Sequence, residues 1–195
     1  MRRTIVWLVA IAALFAGYWI LRGPSGTPDV GKTATSTSQA VDPAVAWRNT
    51  TSKDPTTGAL QAFAASAMVT PAGTGTPNGG IQAWVGVGCS GEREWSYIGF
   101  TKAPKLDPRE RGDGYDIVDA KVWWDDSVED TAFRHDSGSD TFLFLDHAAA
   151  IAKMAAANSL RLELDARGQN PTYFEFRLNG SFAAIAGMRE QCAKK

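Results

Sequence analysis

The chain has 195 residues, of which 44% are hydrophobic, and a formal net charge of −1 at pH 7. This length leaves room for one ordinary hydrophobic core besides a terminal extension. From residue 45 onward, acidic residues slightly outnumber basic ones, which argues against a surface that binds nucleic acid. We therefore expect no nucleic-acid partner.

The first 22 residues predict a signal anchor, a transmembrane helix that is not cleaved. Residues 5–21 form an almost continuous apolar run, close to the minimum length of a membrane-spanning helix. Arg2 and Arg3 precede the run and should stay in the cytoplasm. The run ends in Trp19 and Arg22 without the small residues of a cleavage site, which favours an anchor over a cleaved signal peptide. The sequence thus predicts a single-pass inner-membrane protein whose remaining residues face the periplasm.

Residues 23–46 predict a flexible tether. This stretch consists mainly of Gly, Pro, Ser, Thr and Ala and contains few large apolar side chains. A coil of this length has a mean span of roughly 25–30 Å. Residues 47–195 then form the exported domain.

The segment 59–69 fits two structures. Leu60, Phe63 and Ala64 would share one side of a helix, whereas Phe63, Ala65 and Ala67 would share one face of a strand. The helix propensity of alanine favours the helix. The strand remains the alternative.

Alternation of apolar and polar residues predicts a series of strands in the middle of the domain. In Ile81–Cys89 the odd-numbered residues are apolar or small, so Cys89 should lie on the inward face. The further strands are predicted at Arg93–Thr101, at Tyr115–Trp124, in a short stretch near Thr131–Arg134, and in the apolar run Thr141–Leu145.

Two short helices and two more strands complete the predicted domain. Asp146 should cap a helix over His147–Ala157. Strands follow around Leu160–Leu164 and Tyr173–Leu178, and a final helix reaches Cys192. The predicted fold class is α+β, mostly antiparallel β, with a sandwich-like or curved sheet.

The final helix has a predicted cap and a predicted buried side. Asn179 or Ser181 should cap its first turn. Phe182, Ile185 and Ala186 fall on one side, which we expect to face the core.

Cys89 and Cys192 are the two cysteines of the chain, and both are expected to face inward. An exported domain folds in an oxidising compartment, so a disulfide between them is expected. Two buried free thiols are the alternative.

No pattern of residues predicts catalysis. His135 should be a solvated loop residue and His147 a half-buried or capping one, and neither has a second histidine at ligand spacing. The acidic stretch from Asp107 to Asp130 lacks the ordered spacing of a calcium loop. We therefore expect a protein that is not an enzyme and that has neither metal nor cofactor.

The tryptophans of the domain offer a candidate binding surface. This surface consists of Trp84, Trp95, Trp123 and Trp124. Trp84 should point away from Cys89, and Trp123 away from Trp124. Aromatic side chains on both faces of a strand either pack in the core or present one face to a ligand.

Several of these features form one series along the chain. They are Trp47, the strand Ile81–Cys89, its hairpin partner with Trp95, the acidic turn after Trp123, and Phe174-x-Phe176-x-Leu178-x-Gly180 before a helix ending at Cys192. In this order they resemble the VasI/TagO family of envelope proteins associated with type VI secretion, over most of residues 47–192. The stretch Tyr115–Trp124 differs from the family's arginine-rich strand, since it has Lys121 and no arginine. The resemblance implies a strand after Trp47, in the segment 59–69, and a non-enzymatic domain that engages envelope or cell-wall components.

Three functions follow as hypotheses. The first is a membrane-anchored, periplasm-facing interaction domain whose partner is an envelope protein or peptidoglycan. The second is a periplasmic inhibitor of the phage-exclusion or immunity type. The third is an envelope hydrolase with two carboxylates in one cleft, taken from Asp113, Asp116, Asp119, Asp125 and Asp126.

Overall fold

The computed structural model describes residues 47–72, 78, 80–104, 106, 110–112, 114–165 and 170–194. The predicted anchor at 1–22 and the predicted tether at 23–46 lie outside these residues. None of the helices in the described ranges has the length and apolar character needed to cross a membrane.

Ten strands and two helices make up the described part of the chain. They are β1 (Arg48–Lys53), β2 (Leu60–Ala65), β3 (Ala83–Ser90), β4 (Arg93–Phe100), β5 (Glu110–Gly112), β6 (Tyr115–Trp124), β7 (Ser127–Asp136), β8 (Thr141–Phe144), α1 (His147–Ala156), β9 (Ser159–Leu164), β10 (Thr172–Arg177) and α2 (Ser181–Cys192). Every strand pair is antiparallel, in the order β1-β2-β3-β4-β8-β7-β6-β9-β10, with β5 paired to β6. The predicted α+β class with a mostly antiparallel sheet is confirmed.

The sheet curves around the core. The Phe100 ring on β4 lies 4.9 Å from the Phe142 ring on β8 and 5.7 Å from the Phe174 ring on β10, centroid to centroid. Because β4 and β10 are far apart in the strand order, these contacts require a strongly curved sheet. Trp47 Nε1 donates a hydrogen bond of 3.2 Å to the Arg177 carbonyl and so links the two ends of the strand order.

The segment 59–69 contains a strand, so the helix favoured by alanine content is wrong there. Leu60–Ala65 is hydrogen-bonded to β1 on one side and to β3 on the other. Ala62 and Ala64 are fully buried beneath α2. Helix propensities differ by less than about 1 kcal/mol per residue, so two ladders of hydrogen bonds and this burial outweigh them.

Other boundaries differ from the prediction in the turn-rich regions. β7 covers ten residues instead of a short stretch near Thr131–Arg134, because all of Ser127–Asp136 pairs with β6. The stretch between the predicted strands Arg93–Thr101 and Tyr115–Trp124 includes the short strand β5. His135 is half-buried in β7 instead of solvated in a loop, with its ring 5.0 Å from the Phe142 ring.

The N-terminal cap of α1 is confirmed, and that of α2 is not the predicted one. The Asp146 carboxylate accepts a hydrogen bond of 3.0 Å from the Ala149 N–H. At α2, Gly180 occupies the cap position with a left-handed φ of 89°, and no side chain caps the helix. The Ser181 hydroxyl instead donates to the Met154 carbonyl of α1 at 2.6 Å.

The buried side of α2 differs from the predicted one. Phe182 is 71% exposed and Ala186 is also exposed, while Ser181, Ile185 and Met188 are buried. The hydrogen bond from Ser181 to α1 and the attachment of Cys192 fix the rotation of the helix. Both place Phe182 toward solvent.

The predicted disulfide between Cys89 and Cys192 is present in the structure. It joins β3 to the end of α2 across 103 residues of chain, with the two Cα atoms 6.3 Å apart. Arg189 on α2 forms a two-pronged ion pair with Glu94 on β4, with N–O distances of 2.7 and 2.8 Å. The disulfide and the ion pair both hold α2 against the turn end of the β3–β4 hairpin, where Cys89 and Glu94 are paired.

We expect that replacing Cys192 with Ser lowers the free energy of unfolding by about 4–5 kcal/mol, because the variant loses the constraint on a long loop of the unfolded chain. Urea denaturation of the purified protein, with and without reducing agent, measures this loss. Reducing agent should destabilise the wild type and leave the variant unchanged. Two reactive thiols in the denatured, unreduced wild type would contradict the prediction.

Candidate functional site

The face of the sheet that points away from the two helices, called here the outer face, carries three of the four candidate tryptophans. Trp84, Trp95 and Trp123 lie on it and are half-buried. Trp124 lies on the opposite face and is 7% exposed. Its Nε1 donates a hydrogen bond of 2.7 Å to a Glu129 carboxylate oxygen, so Trp124 belongs to the core.

On β3 and β4, each outer-face aromatic residue lies directly opposite a glycine on the other strand. The pairs are Trp95 with Gly88, Tyr97 with Gly86, and Trp84 with Gly99. A Cβ atom added to Gly88 or to Gly99 would lie 2.4 Å from the indole ring, and one added to Gly86 would lie 2.6 Å from the Tyr97 ring. The rings therefore cover the backbone of the neighbouring strand, in space that only glycine leaves open.

A fourth ring completes this cluster, which we call the aromatic platform: Phe63, Trp84, Trp95 and Tyr97. The Phe63 ring lies 5.8 Å from the Trp95 ring and 6.5 Å from the Tyr97 ring, both nearly edge to face. Such pairs contribute about 0.5–1.5 kcal/mol each beyond their buried area. Burial raises the pKa of the Tyr97 hydroxyl, and a hydrogen bond with Trp84 opposes that rise only in part, so Tyr97 stays neutral.

An open depression of about 580 Å³ lies beside Trp95. Trp95 and Leu143 supply its apolar part, and Gln61, Arg93 and His147 are among its polar lining residues. The Gln61 amide donates to an Asp54 carboxylate oxygen at 3.2 Å, which leaves the Gln61 carbonyl oxygen as an acceptor. Hydrogen-bond donors and acceptors therefore surround the flat indole ring of Trp95.

Asp54 itself is occupied by structural contacts. Its carboxylate accepts hydrogen bonds from the N–H groups of Thr57 and Thr56 at 2.8 and 2.9 Å. These bonds lower the pKa of Asp54. Its part in the depression is to orient Gln61.

His147 fills a gap at the end of a strand. The last pair between β4 and β8 is Tyr97 with Leu143, so the N–H of Ser96, the next residue of β4, lies beyond the end of this ladder. His147 Nδ1 accepts a hydrogen bond of 3.1 Å from that N–H. The neutral ring therefore carries its proton on Nε2. Burial lowers the pKa of His147.

The neighbouring hydroxyl of Ser96 does not form a reactive serine–histidine pair. It lies 3.3 Å from His147 Nδ1, but Ser96 is fully buried. A nucleophile must reach a substrate, which this position does not allow. The contact stabilises the junction of β4 with α1.

The acidic residues proposed for a hydrolase divide between two depressions. Asp125 and Asp126 line one of about 370 Å³, and Asp119 lines another of about 490 Å³. Asp116 lies on β6 and lines neither, and Asp113 lies outside the described residues.

Asp125 has a structural role. Its φ is 51°, in the tight turn between β6 and β7, and its carboxylate accepts hydrogen bonds from the N–H groups of Asn158 and Ser159 at 3.0 and 2.9 Å. Burial alone would raise the pKa of Asp125, but these bonds outweigh it and lower the pKa. A general acid in glycoside hydrolysis needs a raised pKa.

Neither a metal centre nor a relative identifies the site. In the ranges that the structure describes, no three His, Cys, Asp or Glu side chains are grouped so that they could hold a metal ion. Comparisons with protein-family models, with curated proteins and with solved structures found no match to this chain. Membership of the VasI/TagO family stays a prediction.

The sequence indicated the tryptophans of the platform but not its construction. The sequence alone does not place Phe63 in it, since the residue pattern at 59–69 fits both a helix and a strand. The sequence feature that could have indicated this construction is the spacing Trp-x-Gly-x-Gly over residues 84–88, together with Trp-x-Tyr-x-Gly over residues 95–99. Antiparallel pairing of two such strands places a ring opposite each glycine.

We expect that Gly88→Ala displaces the Trp95 ring and lowers the free energy of unfolding by about 1–3 kcal/mol, as overpacking does. Tryptophan emission should shift to longer wavelength as the indole becomes more exposed. Gly80→Ala is the matched control, since an added Cβ there meets nothing within 4 Å. Equal stability of the two variants would contradict the proposed packing.

We expect acid to destabilise the protein through His147. Because burial lowers the folded pKa of His147 below its ordinary 6.5, the neutral ring stabilises the fold above pH 6.5. That contribution is lost as the pH falls below 6.5. The melting temperature should decrease from pH 7 to pH 5, and His147→Gln should flatten this decrease. A His135→Gln variant controls for the loss of any histidine, and an unchanged slope in His147→Gln would refute the assignment.

Proposed function

We propose that this chain is a membrane-anchored, periplasm-facing interaction domain without catalytic activity, and that the outer face of its sheet binds a component of the cell envelope. The predicted anchor and tether would hold the domain in the periplasm and leave its orientation free. The disulfide agrees with folding in an oxidising compartment.

The observation that carries the proposal is the aromatic platform. Large aromatic side chains usually complete a core, yet here the inner face already has its own core, made mostly of aliphatic and phenylalanine residues together with Trp47 and Trp124. The platform rings remain half-buried on the face away from that core. Half-exposed aromatic clusters are typical of binding surfaces.

The favoured partner is the glycan of peptidoglycan. A pyranose ring presents a face of C–H groups that can stack on a flat aromatic ring such as Trp95. Gln61, Arg93 and His147 lie around the same depression and can exchange hydrogen bonds with sugar hydroxyls. A secretion, phage or toxin protein is the alternative partner, and the resemblance to the VasI/TagO family also points to the envelope.

The hydrolase hypothesis has less support. Among the described carboxyl groups, those with a shifted pKa are Asp54, Glu94, Asp125 and Glu129, and all four are shifted downward. Each accepts hydrogen bonds that stabilise the ionised form. This favours structural roles over the role of a proton donor.

We expect the purified protein to sediment with isolated peptidoglycan sacculi, and Trp95→Leu to reduce the bound fraction several-fold. Leucine retains apolar bulk above Gly88 but has no flat ring to stack on a sugar. Trp95→Phe should retain part of the binding. Sedimentation of wild-type and variant protein at equal concentration measures the difference.

Phe182→Ser is the matched control, because Phe182 is an exposed aromatic residue on α2, on the other side of the sheet. It should bind as the wild type does. Thermal unfolding of each variant separates lost binding from lost folding. Crosslinking to one envelope protein without binding to sacculi would favour the protein partner, and binding to neither would refute the proposal.

A further inference from the structure

Arg161 on β9 lies between two aromatic rings on the outer face. Its guanidinium carbon is 5.0 Å from the centre of the Trp123 ring and 4.3 Å from the centre of the Tyr173 ring. Trp123 is its direct cross-strand neighbour on β6, and Tyr173 belongs to β10 on the other side. The two rings hold the planar cation in a fixed position.

No acidic side chain in the described part of the chain forms an ion pair with Arg161. Glu175 is the direct neighbour of Arg161 across β9 and β10, yet they form no ion pair. Arg161 Nε is buried and has no hydrogen-bond partner. Because Nε is closed to solvent, a ligand in the depression would bind the two terminal nitrogens of the guanidinium.

The same residues line a depression of about 370 Å³ with unpaired acidic groups. Arg161, Trp123, Glu175 and Asp126 all contribute to its walls. Asp126 and Glu175 are exposed and form no ion pair with any described residue. Asp125 also lies there, but its carboxylate is occupied by Asn158 and Ser159.

We propose that this depression binds a zwitterionic α-amino-acid group, in which one carbon carries a carboxylate and an ammonium. The carboxylate accepts hydrogen bonds from the Arg161 guanidinium, and the ammonium donates to Glu175 and Asp126. A simple anion would be repelled by the two carboxylates, and a simple cation by Arg161. A group that carries a carboxylate and an ammonium is attracted by Arg161 through the first and by the two acidic side chains through the second.

Such a group has two sources, a free amino acid or an amino-acid centre on a cell-wall peptide. The site is separate from the aromatic platform and does not require the proposed function. A loss of sacculus binding in Trp95→Leu would therefore leave it untouched.

Calorimetric titration of the full chain in detergent micelles tests the proposal. The probes are diaminopimelate, a muramyl peptide ending in diaminopimelate, acetate and methylammonium. We expect binding of at least one of the first two and none of the last two at the same concentration. Binding of the muramyl peptide alone would identify the cell-wall source, and equal binding of diaminopimelate the free amino acid.

Arg161→Lys and Glu175→Gln should each weaken binding by about tenfold or more, as loss of a charge-assisted hydrogen bond does. Lysine keeps the charge but loses the planar fork and the stacking. Arg177→Lys is the matched control, since Arg177 is an exposed arginine on β10 outside the depression. Thermal unfolding establishes that each variant is folded. Wild-type affinity in Arg161→Lys, binding of acetate as tight as that of the amino acid, or binding of no probe would overturn the proposal.

Discussion

The strict alternation of side chains along β3 connects the fold to the candidate site. Its odd-numbered residues, Val85, Val87 and Cys89, are buried on the inner face, and the last of them is bonded to α2. Its even-numbered residues include Gly86 and Gly88, which lie under the rings of β4. A shift of one residue in register would exchange these two sets. The disulfide therefore also fixes which face of the sheet carries the aromatic platform.

The two faces of the β2–β3–β4 region are built on one principle, small residues beneath large groups. On the inner face, Ala62 and Ala64 allow α2 to approach the sheet closely. On the outer face, Gly88 allows the Trp95 ring to lie directly on the backbone. Small residues in a strand interior weaken the strand by themselves. The packing above them restores that stability, so the strands and the groups that cover them depend on each other.

The predictions from sequence succeeded where one strand or helix determines its own structure. The alternation in Ile81–Cys89 and the Asp146 cap depend on neighbours in the chain, and both were confirmed. At 59–69 the alanine content favoured the wrong structure, and the buried side predicted for α2 is wrong at Phe182, because contacts from distant residues decide both. Ala62 is buried by a helix that begins more than 100 residues later.

The candidate sites show the same limit more strongly. Trp95 and Gly88 are a pair only after the hairpin register is known. Arg161 lies between Trp123 and Tyr173 because three strands, β6, β9 and β10, are adjacent in the sheet. Nothing in the local sequence around residue 161 indicates these neighbours. What sequence did supply was the set of tryptophans, since their number and their alternation on strands are visible without a fold.

The outer face thus combines two kinds of chemistry, a largely apolar platform on β2–β4 and a charged depression on β6, β9 and β10. The two regions face different directions because the sheet curves: the Phe100 ring on β4 and the Phe174 ring on β10 meet across the core, 5.7 Å apart, so the outer sides of these strands point away from each other. A small ligand could therefore contact only one of the two proposed sites. If both sites bind the same polymer, the polymer has to pass around the domain, and its second contact is then intramolecular, with an effective concentration set by the length and stiffness of the segment between the sites.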